Sequence, residues 1–393
     1  MVIFAVSRGL AEQQAPQWYL GVVGAGLSFS AGVGSILGGW LAHKWDARKV
    51  FLSGAVMMVL SIVACGLGQP TSKWFLPFYW LLGIGIGCLY PPLVGWLNQG
   101  EVTHGKTGNV SRTLILYCIS WNLGMLCGQL TAGELFAWGA TWTYGAALAV
   151  GLLNLFVACL AARRVHEIPE SVSDAPIHSP SDAVLATQFK RLGWIANLGG
   201  MFGGSMVIHL LPDLAVNIGV EANHHGQLLA TWRVAIITTY LLMHASHFWH
   251  YHFRVSLASQ LLAAVGLIVI AQSNSAATLL VGLILLGQLV GYNYFSGLFY
   301  STVGSSDDNR ALAAGIHEAT LAGGMAVGTI VGGFLGFYVS FRIPYLFAAG
   351  VLLLLAVVQT VAWWKWVRPL MRVTTEALAG DLSVSSVKPQ EHG

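Results

Sequence analysis

The residues best suited to chemistry are polar side chains set inside otherwise apolar runs. His317 and Glu318 interrupt the run Ala311 to Val339, and Arg233 lies within Gln227 to Phe248. At a bilayer centre an ionisable group costs about 2.5 to 3.5 kcal/mol on insertion scales, so one that persists usually faces a cavity or a partner. Glu318 lies about two turns inside its run, a depth at which a carboxyl stripped of water suits proton exchange. His317 is the second candidate for that exchange. A neutral Glu318 hydrogen-bonded to a neighbouring helix is the structural alternative. Arg233 reads as a contact for an anion or carboxylate in a central cavity. It reads equally as half of a structural ion pair with Asp213, which together with His209 ends the preceding span on the same side.

Aromatic and amide groups form a second set. Tyr90, Trp121, Asn122, Asn293 and Tyr294 fall at matching depths in three runs, as a cavity for an amphipathic organic solute requires. Each taken alone also fits simple helix packing. A third set is HASHFWHYHF, with His244, His247, His250 and His252. His244 and His247 share a helix face and imidazole is a common metal ligand. A membrane iron enzyme needs further histidines on the same side, and only His43 qualifies, His224 and His225 being opposite. The cluster is therefore expected to be an interfacial belt of His and Trp. Neither a metal nor a cofactor is expected, GxxxxGK[ST] does not occur, and the chain is not read as an enzyme.

The elements that position these groups follow from composition. With 55% hydrophobic and 9% charged residues, against about 25% charged in soluble domains, the chain cannot present a solvated surface of ordinary size. It is expected to be an all-α polytopic membrane protein. Eleven runs are long enough to cross about 30 Å of hydrocarbon: Trp18–Ala42, Val50–Leu67, Trp74–Leu97, Thr113–Leu135, Thr141–Ala162, Leu192–Leu211, Gln227–Phe248, Val255–Gln272, Ala276–Thr302, Ala311–Val339 and Pro344–Val367. Between the fifth and sixth, the Ser-, Pro- and charge-rich stretch 163–191 reads as a linker. This divides the chain into a bundle at 1–162, the linker, a bundle at 192–368 and a tail at 369–393. Cys65, Cys88, Cys118, Cys127 and Cys159 have no metal or redox spacing and read as buried thiols.

Loop charges orient the spans. Placing Gly38 to Val50 in the cytoplasm puts Lys44, Arg48, Lys49, Lys106, Arg112, Arg163, Arg164, Lys190, Arg191, Arg254, Arg310, Lys365, Arg368, Arg372 and Lys388 on that side. Only Arg8, Lys73 and Arg342 fall outside, a bias that also places the linker and C-terminus in the cytoplasm. Because the net charge of +3 follows loop side and forms no patch, nucleic acid is not expected as a partner. Met1 to Leu10 is too short to span and is a poor signal peptide, since its Arg8 follows the apolar stretch.

Internal repetition is visible. Gly124, Gly128 and Gly133 recur as Gly324, Gly328 and Gly333 at an offset of 200, behind Arg112 and Arg310; Gly83, Gly87 and Tyr90 recur as Gly287, Gly291 and Tyr294 at 204. The frequency of Gly in membrane helices is the competing explanation.

Two halves of parallel topology joined by a polar linker resemble the major facilitator superfamily. The stretch GGWLAHKWDARKV is similar to that family's loop between its second and third helices. Gly39, Lys44, Arg48 and Lys49 match, His43 stands where an Asp is expected and Asp46 where a second Gly is expected. The resemblance implies a gating loop whose acidic residue holds one conformational state closed, so His43 would weaken that latch or make it pH-dependent. Leu81 to Leu93, LLGIGIGCLYPPL, is similar to the fourth helix, with Tyr79 where an arginine is often found; Ser120 to Leu135 is similar to the Gly-rich fifth helix of drug and solute exporters, with Gln129 where Pro is usual.

What the resemblance implies is a secondary active transporter moving a small organic solute by alternating access between two pseudo-symmetric bundles, with proton-coupled efflux within its range. A monomer in the plasma (inner) membrane is expected, with solute, lipid and protons as partners. Family members have twelve spans, so Met1 to Leu10 would be the outer end of a first helix lacking about 15 residues. A transport-inactive sensor or scaffold on the same fold is the alternative, and a membrane metalloenzyme built on the histidines a more distant one.

Overall fold

The computed structural model describes residues 1–97, 107–164, 180–305 and 310–371. Lys106, most of the linker and the tail with Arg372 and Lys388 lie outside these. In a bilayer the backbone must satisfy its own hydrogen bonds, and these apolar runs do so as helices. The order is α1 (Val2–Glu12), α2 (Gln17–Lys44), α3 (Ala47–Leu67), α4 (Phe75–Gly87), α5 (Tyr90–Leu97), α6 (Thr107–Trp138), α7 (Ala140–Arg164) and α8 (Pro180–Ser205). After a π-helical turn (Met206–Leu210) come α9 (Leu211–Asn217), α10 (Ala222–Ala245), α11 (Phe253–Gln272), α12 (Ala276–Val303), α13 (Arg310–Tyr338) and α14 (Ile343–Trp366). Among the described residues eleven helical segments are long and apolar enough to cross a membrane.

Local chemistry sets the boundaries. The run Trp74 to Leu97 is broken at Cys88 and Leu89, because Pro91 and Pro92 have no N–H to give to the carbonyls one turn back. Both prolines are accommodated in the first turn of α5. Gly139, at φ +138, turns the chain from α6 to α7, a backbone region that disfavours side chains. α8 starts at Pro180, inside the stretch expected to be linker. Ala186, Phe189 and Leu192 are buried at helical spacing there, although Gln188, Lys190 and Arg191 between them make the composition polar. α10 ends at Ala245, short of the expected Phe248, because the chain folds back and the Trp249 indole N–H donates to the Met243 carbonyl at 2.7 Å.

The two halves meet along two helix pairs. α2 runs antiparallel to α13, with Gln17 beside Gly336 at one end and Gly39 beside Gly315 at the other. α10 packs against α6 from Gly226 beside Gly133 to Tyr240 beside Asn122. These pairs are equivalents under exchange of the halves, since Gly133 corresponds to Gly333 and Gly21 to Gly226. At both places backbone meets backbone: a Cβ on Gly333 would lie 2.7 Å from the Gly21 Cα, and one on Gly226 would lie 2.9 Å from the Gly133 Cα.

Packing inside each half repeats as well. Gly83 and Gly87 of α4 seat against Leu27, Ser30 and Ala31 of α2, while Gly287 and Gly291 of α12 seat against Trp232, Ala235 and Ile236 of α10. The residues met differ by a constant 205, from Leu27 to Trp232, Ser30 to Ala235 and Ala31 to Ile236. General glycine frequency cannot produce matched neighbours, so the repeat is architectural. One pair departs from it. Gly324 and Gly328 seat on Leu198 and Phe202 of α8, whereas among the described residues a Cβ on Gly128 would reach only Met1 and one on Gly124 would meet no other element within 4 Å.

Candidate functional site

Six of the residues singled out inside the spans, Tyr90, Trp121, Asn122, Arg233, Tyr294 and Glu318, converge where the halves meet, midway along α6 and α10. Trp121 of α6 stacks on Tyr294 of α12, with centroids 5.3 Å apart and planes at 26°, and Tyr90 at the start of α5 stands edge-on to the same indole at 5.6 Å. Asn122 bridges the halves. Its amide N–H donates to the Tyr240 hydroxyl at 3.3 Å and to the Cys118 carbonyl at 3.0 Å, while its Oδ1 accepts from Arg233 at 3.3 Å. On the other flank the Tyr294 hydroxyl donates to Glu318 Oε1 at 2.7 Å and lies 3.4 Å from the Tyr117 hydroxyl. Asn122, Arg233, Tyr117, Tyr240 and Tyr294 are buried; Tyr90, Trp121 and Glu318 keep partial access, so Glu318 is less enclosed than its depth in the sequence suggests.

Arg233 is the electrostatic anomaly of the cluster. Its residue is 3% exposed, its Nε has no protein partner, and it forms no ion pair among the described residues. The guanidinium lies 4.5 Å from the Trp232 ring centroid and 5.8 Å from that of Trp121. Two indole faces and a neutral amide attract the guanidinium, and no carboxylate among the described residues pairs with it.

The expected ion pair of Arg233 with Asp213 is not formed. Arg233 sits eleven positions into α10, about 16 Å along its axis, whereas Asp213 stands at the end of the bundle near Gln17. There Asp213 accepts from the Gln17 side-chain amide and, at 3.2 Å, from Asn217. His209, in the π-helical turn that precedes Pro212, approaches Ser28 of α2 at 3.5 Å. These contacts join the halves at the Gln17 end.

Two further candidates point elsewhere. Asn293 donates to the Ala196 carbonyl at 2.9 Å, holding α12 to α8. His317 is fully buried, its Nδ1 3.2 Å from the Asn197 amide nitrogen and its ring edge-on to Tyr294 at 5.4 Å. Both lie within the second half and outside the slot. Tyr117 and Tyr240 were the residues that sequence reasoning missed. Helical spacing could have found them, because Tyr117 stands one turn before Trp121 and Tyr240 two turns after Arg233.

In the loop expected to gate, Asp46 caps α3, its Oδ1 accepting from the Arg48 backbone N–H at 2.8 Å. Lys44 lies over the Trp40 ring at 4.2 Å, Gly39 approaches α13, and Lys49 and His43 are exposed. In the histidine stretch expected to form an interfacial belt, His244, His247 and His252 are exposed. Trp249 is buried, and His250 stacks on Phe299 at 4.9 Å with its pKa pushed down to about 4 by burial and by its neighbours His247 and His252. Among the described residues no three His, Cys, Asp or Glu side chains group as metal ligands do. Of the cysteines, Cys127 is exposed and Cys159 half-buried. Cys127 shares an outward stripe of α6 with Leu123, Leu130 and Glu134.

Comparison with known proteins completes the picture. The sequence profile of the Major Facilitator Superfamily matches residues 2–291. The crystal structure of the human organic anion transporter MFSD10 (TETRAN) is similar, with a TM-score of 0.63 at 16% identity, over 86% of this chain and 83% of that one. At that identity the likeness carries the fold alone. No curated protein sequence matches.

Proposed function

The chain belongs to the major facilitator superfamily, and from that membership we propose that this membrane transporter is a secondary carrier, moving a small organic solute by alternating access and coupled to protons through Glu318. The observation that carries the reading is the cluster between the halves. Trp121 and Asn122 come from the first half, Arg233, Tyr240, Tyr294 and Glu318 from the second. A rocking motion that parts the halves must break each cross-half contact, so site and motion are the same set of interactions. Binding energy from a solute is then available to drive the change of state.

Glu318 is suited to coupling by position. Its carboxyl is partly accessible and, among the described residues, its one hydrogen bond is to Tyr294, a wall of the slot. Exchange of its proton therefore alters a group that the solute touches. The loop bearing Lys44, Arg48 and Lys49 is assigned to the cytoplasm by its charge, which places the Gln17 end outside.

One observation favours the transport-inactive alternative: His43 stands exposed where the family's acidic residue is expected, and Asp46 is engaged in capping α3. A single experiment separates the readings. Purified protein in proteoliposomes with an imposed pH step, given a panel of radiolabelled organic acids and amines, should accumulate at least one of them. Glu318→Gln should lose pH-driven accumulation and keep solute exchange, because Gln reproduces the protonated shape. Full accumulation by Glu318→Gln would remove Glu318 from the mechanism, and a panel that binds without moving would establish the sensor.

A further inference from the structure

Three observations converge on the chemistry of the solute. First, Arg233 is a buried cation whose only acceptor among the described residues is a neutral amide and whose Nε finds no partner among them. A guanidinium presents its N–H donors as a planar fork that matches the two oxygens of a carboxylate. Second, the Trp121–Tyr294 stack is shared between the halves, with Tyr90 closing its edge. When the halves part, two near-parallel π faces are exposed, and a flat ring covers both where a puckered aliphatic ring cannot. Third, the guanidinium stands over the same indole, 5.8 Å from its centroid. Charge and ring contacts are thus adjacent, as in one small molecule carrying an acid on an aromatic ring.

Charge count narrows this further. Arg233 is the single cation of the cluster, and Glu318 lies across the slot on the Tyr294 hydroxyl. A second negative charge on the solute would face that carboxyl.

We propose that the slot between Trp121, Tyr294 and Arg233 binds a planar aromatic monoanion, with an arylcarboxylate as the simplest member. This deepens the transporter reading and rests on it for the fate of the bound molecule; the binding itself is measurable without transport. The carboxylate pairs with Arg233 and takes the place of Asn122, and the ring lies against Trp121.

The test is equilibrium binding of radiolabelled benzoate to the purified full-length protein in detergent. Saturable binding is expected, with cyclohexanecarboxylate displacing it roughly tenfold less well, as the loss of an aromatic pair implies, and benzylammonium not displacing it. Trp121→Leu should erase the preference for benzoate over cyclohexanecarboxylate. Asn122→Asp supplies an internal carboxylate to Arg233, so it should lower benzoate affinity at least tenfold while the melting temperature is maintained or raised, which excludes misfolding as the cause. Absence of displaceable benzoate binding, equal displacement by benzylammonium, or undiminished binding by Asn122→Asp would each overturn the proposal. Accumulation of benzylammonium in proteoliposomes without benzoate binding would overturn it and leave the carrier standing. Benzoate binding without movement would uphold it and overturn the carrier.

Discussion

At the scale of single residues, the cost of polarity in hydrocarbon is what made the site readable. Tyr90, Trp121, Asn122, Arg233, Tyr294 and Glu318 were all visible as exceptions within apolar runs, and all meet in the slot. The direction in which each exception points was not readable, because helix rotation is decided by packing between helices. Asn293 and His317 therefore looked equivalent to Tyr294 and Glu318, yet they hold α8. Tyr117 and Tyr240 were hidden because, unlike Tyr90 and Tyr294, neither has a tyrosine at the repeat offset of 204 to mark it. Energetic weight within the cluster should be uneven. Tyr240→Phe removes one neutral partner of Asn122, whose amide keeps the Cys118 carbonyl, so a loss of about 0.5 to 1 kcal/mol is expected. Asn122→Leu strands both the Tyr240 hydroxyl and the Arg233 guanidinium, and about 2 to 3 kcal/mol is expected. Thermal unfolding of the two variants in one detergent compares them, and equal shifts would mean that Arg233 draws nothing from Asn122.

At the scale of elements, helix positions followed from apolar length, whereas their ends followed from local contacts that a hydropathy pattern does not contain. The Trp249 bond to Met243 that ends α10 and the amphipathic start of α8 are such cases. The loop closed by Trp249 should respond to acid. His250 is held at about 4 against an ordinary 6.5, so its neutral form is the one that packs on Phe299. Above 6.5 both the docked and the freed loop carry it neutral; as pH falls from 6.5 toward 4 only the freed loop takes up the proton, and docking weakens. Hydrogen exchange across residues 246–252, corrected for its intrinsic pH dependence, should quicken over that range, and His250→Phe should abolish the change. The glycine seam makes a different demand. Gly226 and Gly133 touch backbone to backbone, so Gly226→Leu should fold yet fail to close the Gln17 end. A cysteine at Gly133 in that background should become open to an impermeant maleimide, whereas continued protection would mean that the seam accommodates the side chain.

At the scale of the whole molecule, two halves joined through α2 with α13 and α10 with α6 make a body with a dividing plane between them. The contacts across that plane include glycine and alanine surfaces, the Trp121–Tyr294 stack and a few polar bonds. The repeat at offsets of 200 and 204 was readable because close helix packing needs glycine at matched positions, at the seam for Gly133 and Gly333 and within each half for Gly83, Gly87, Gly287 and Gly291; the partner exchange that pairs α2 with α13 was not, since an offset says nothing of who faces whom. The α2–α13 pair is closed along its length, from Gln17 beside Gly336 to Gly39 beside Gly315, so the molecule stands with this face shut at both ends. Alternating access requires the pair to part from one end as far as the middle, where the site lies one turn from Ala322 at Glu318, and then from the other. Midway along it, a Cβ on Gly32 would lie 3.1 Å from the Ala322 Cβ, close to the separation at which paired cysteines join with slight adjustment. In protein whose five native cysteines have been replaced, Gly32→Cys with Ala322→Cys should oxidise readily to one disulfide. That bond pins the middle of the seam, so transport should stop on oxidation and return on reduction, while each single variant stays active and insensitive to oxidant. Undiminished transport by fully crosslinked protein would show that the halves do not separate along α2 and α13, and that the solute reaches the slot by the α6 and α10 side alone.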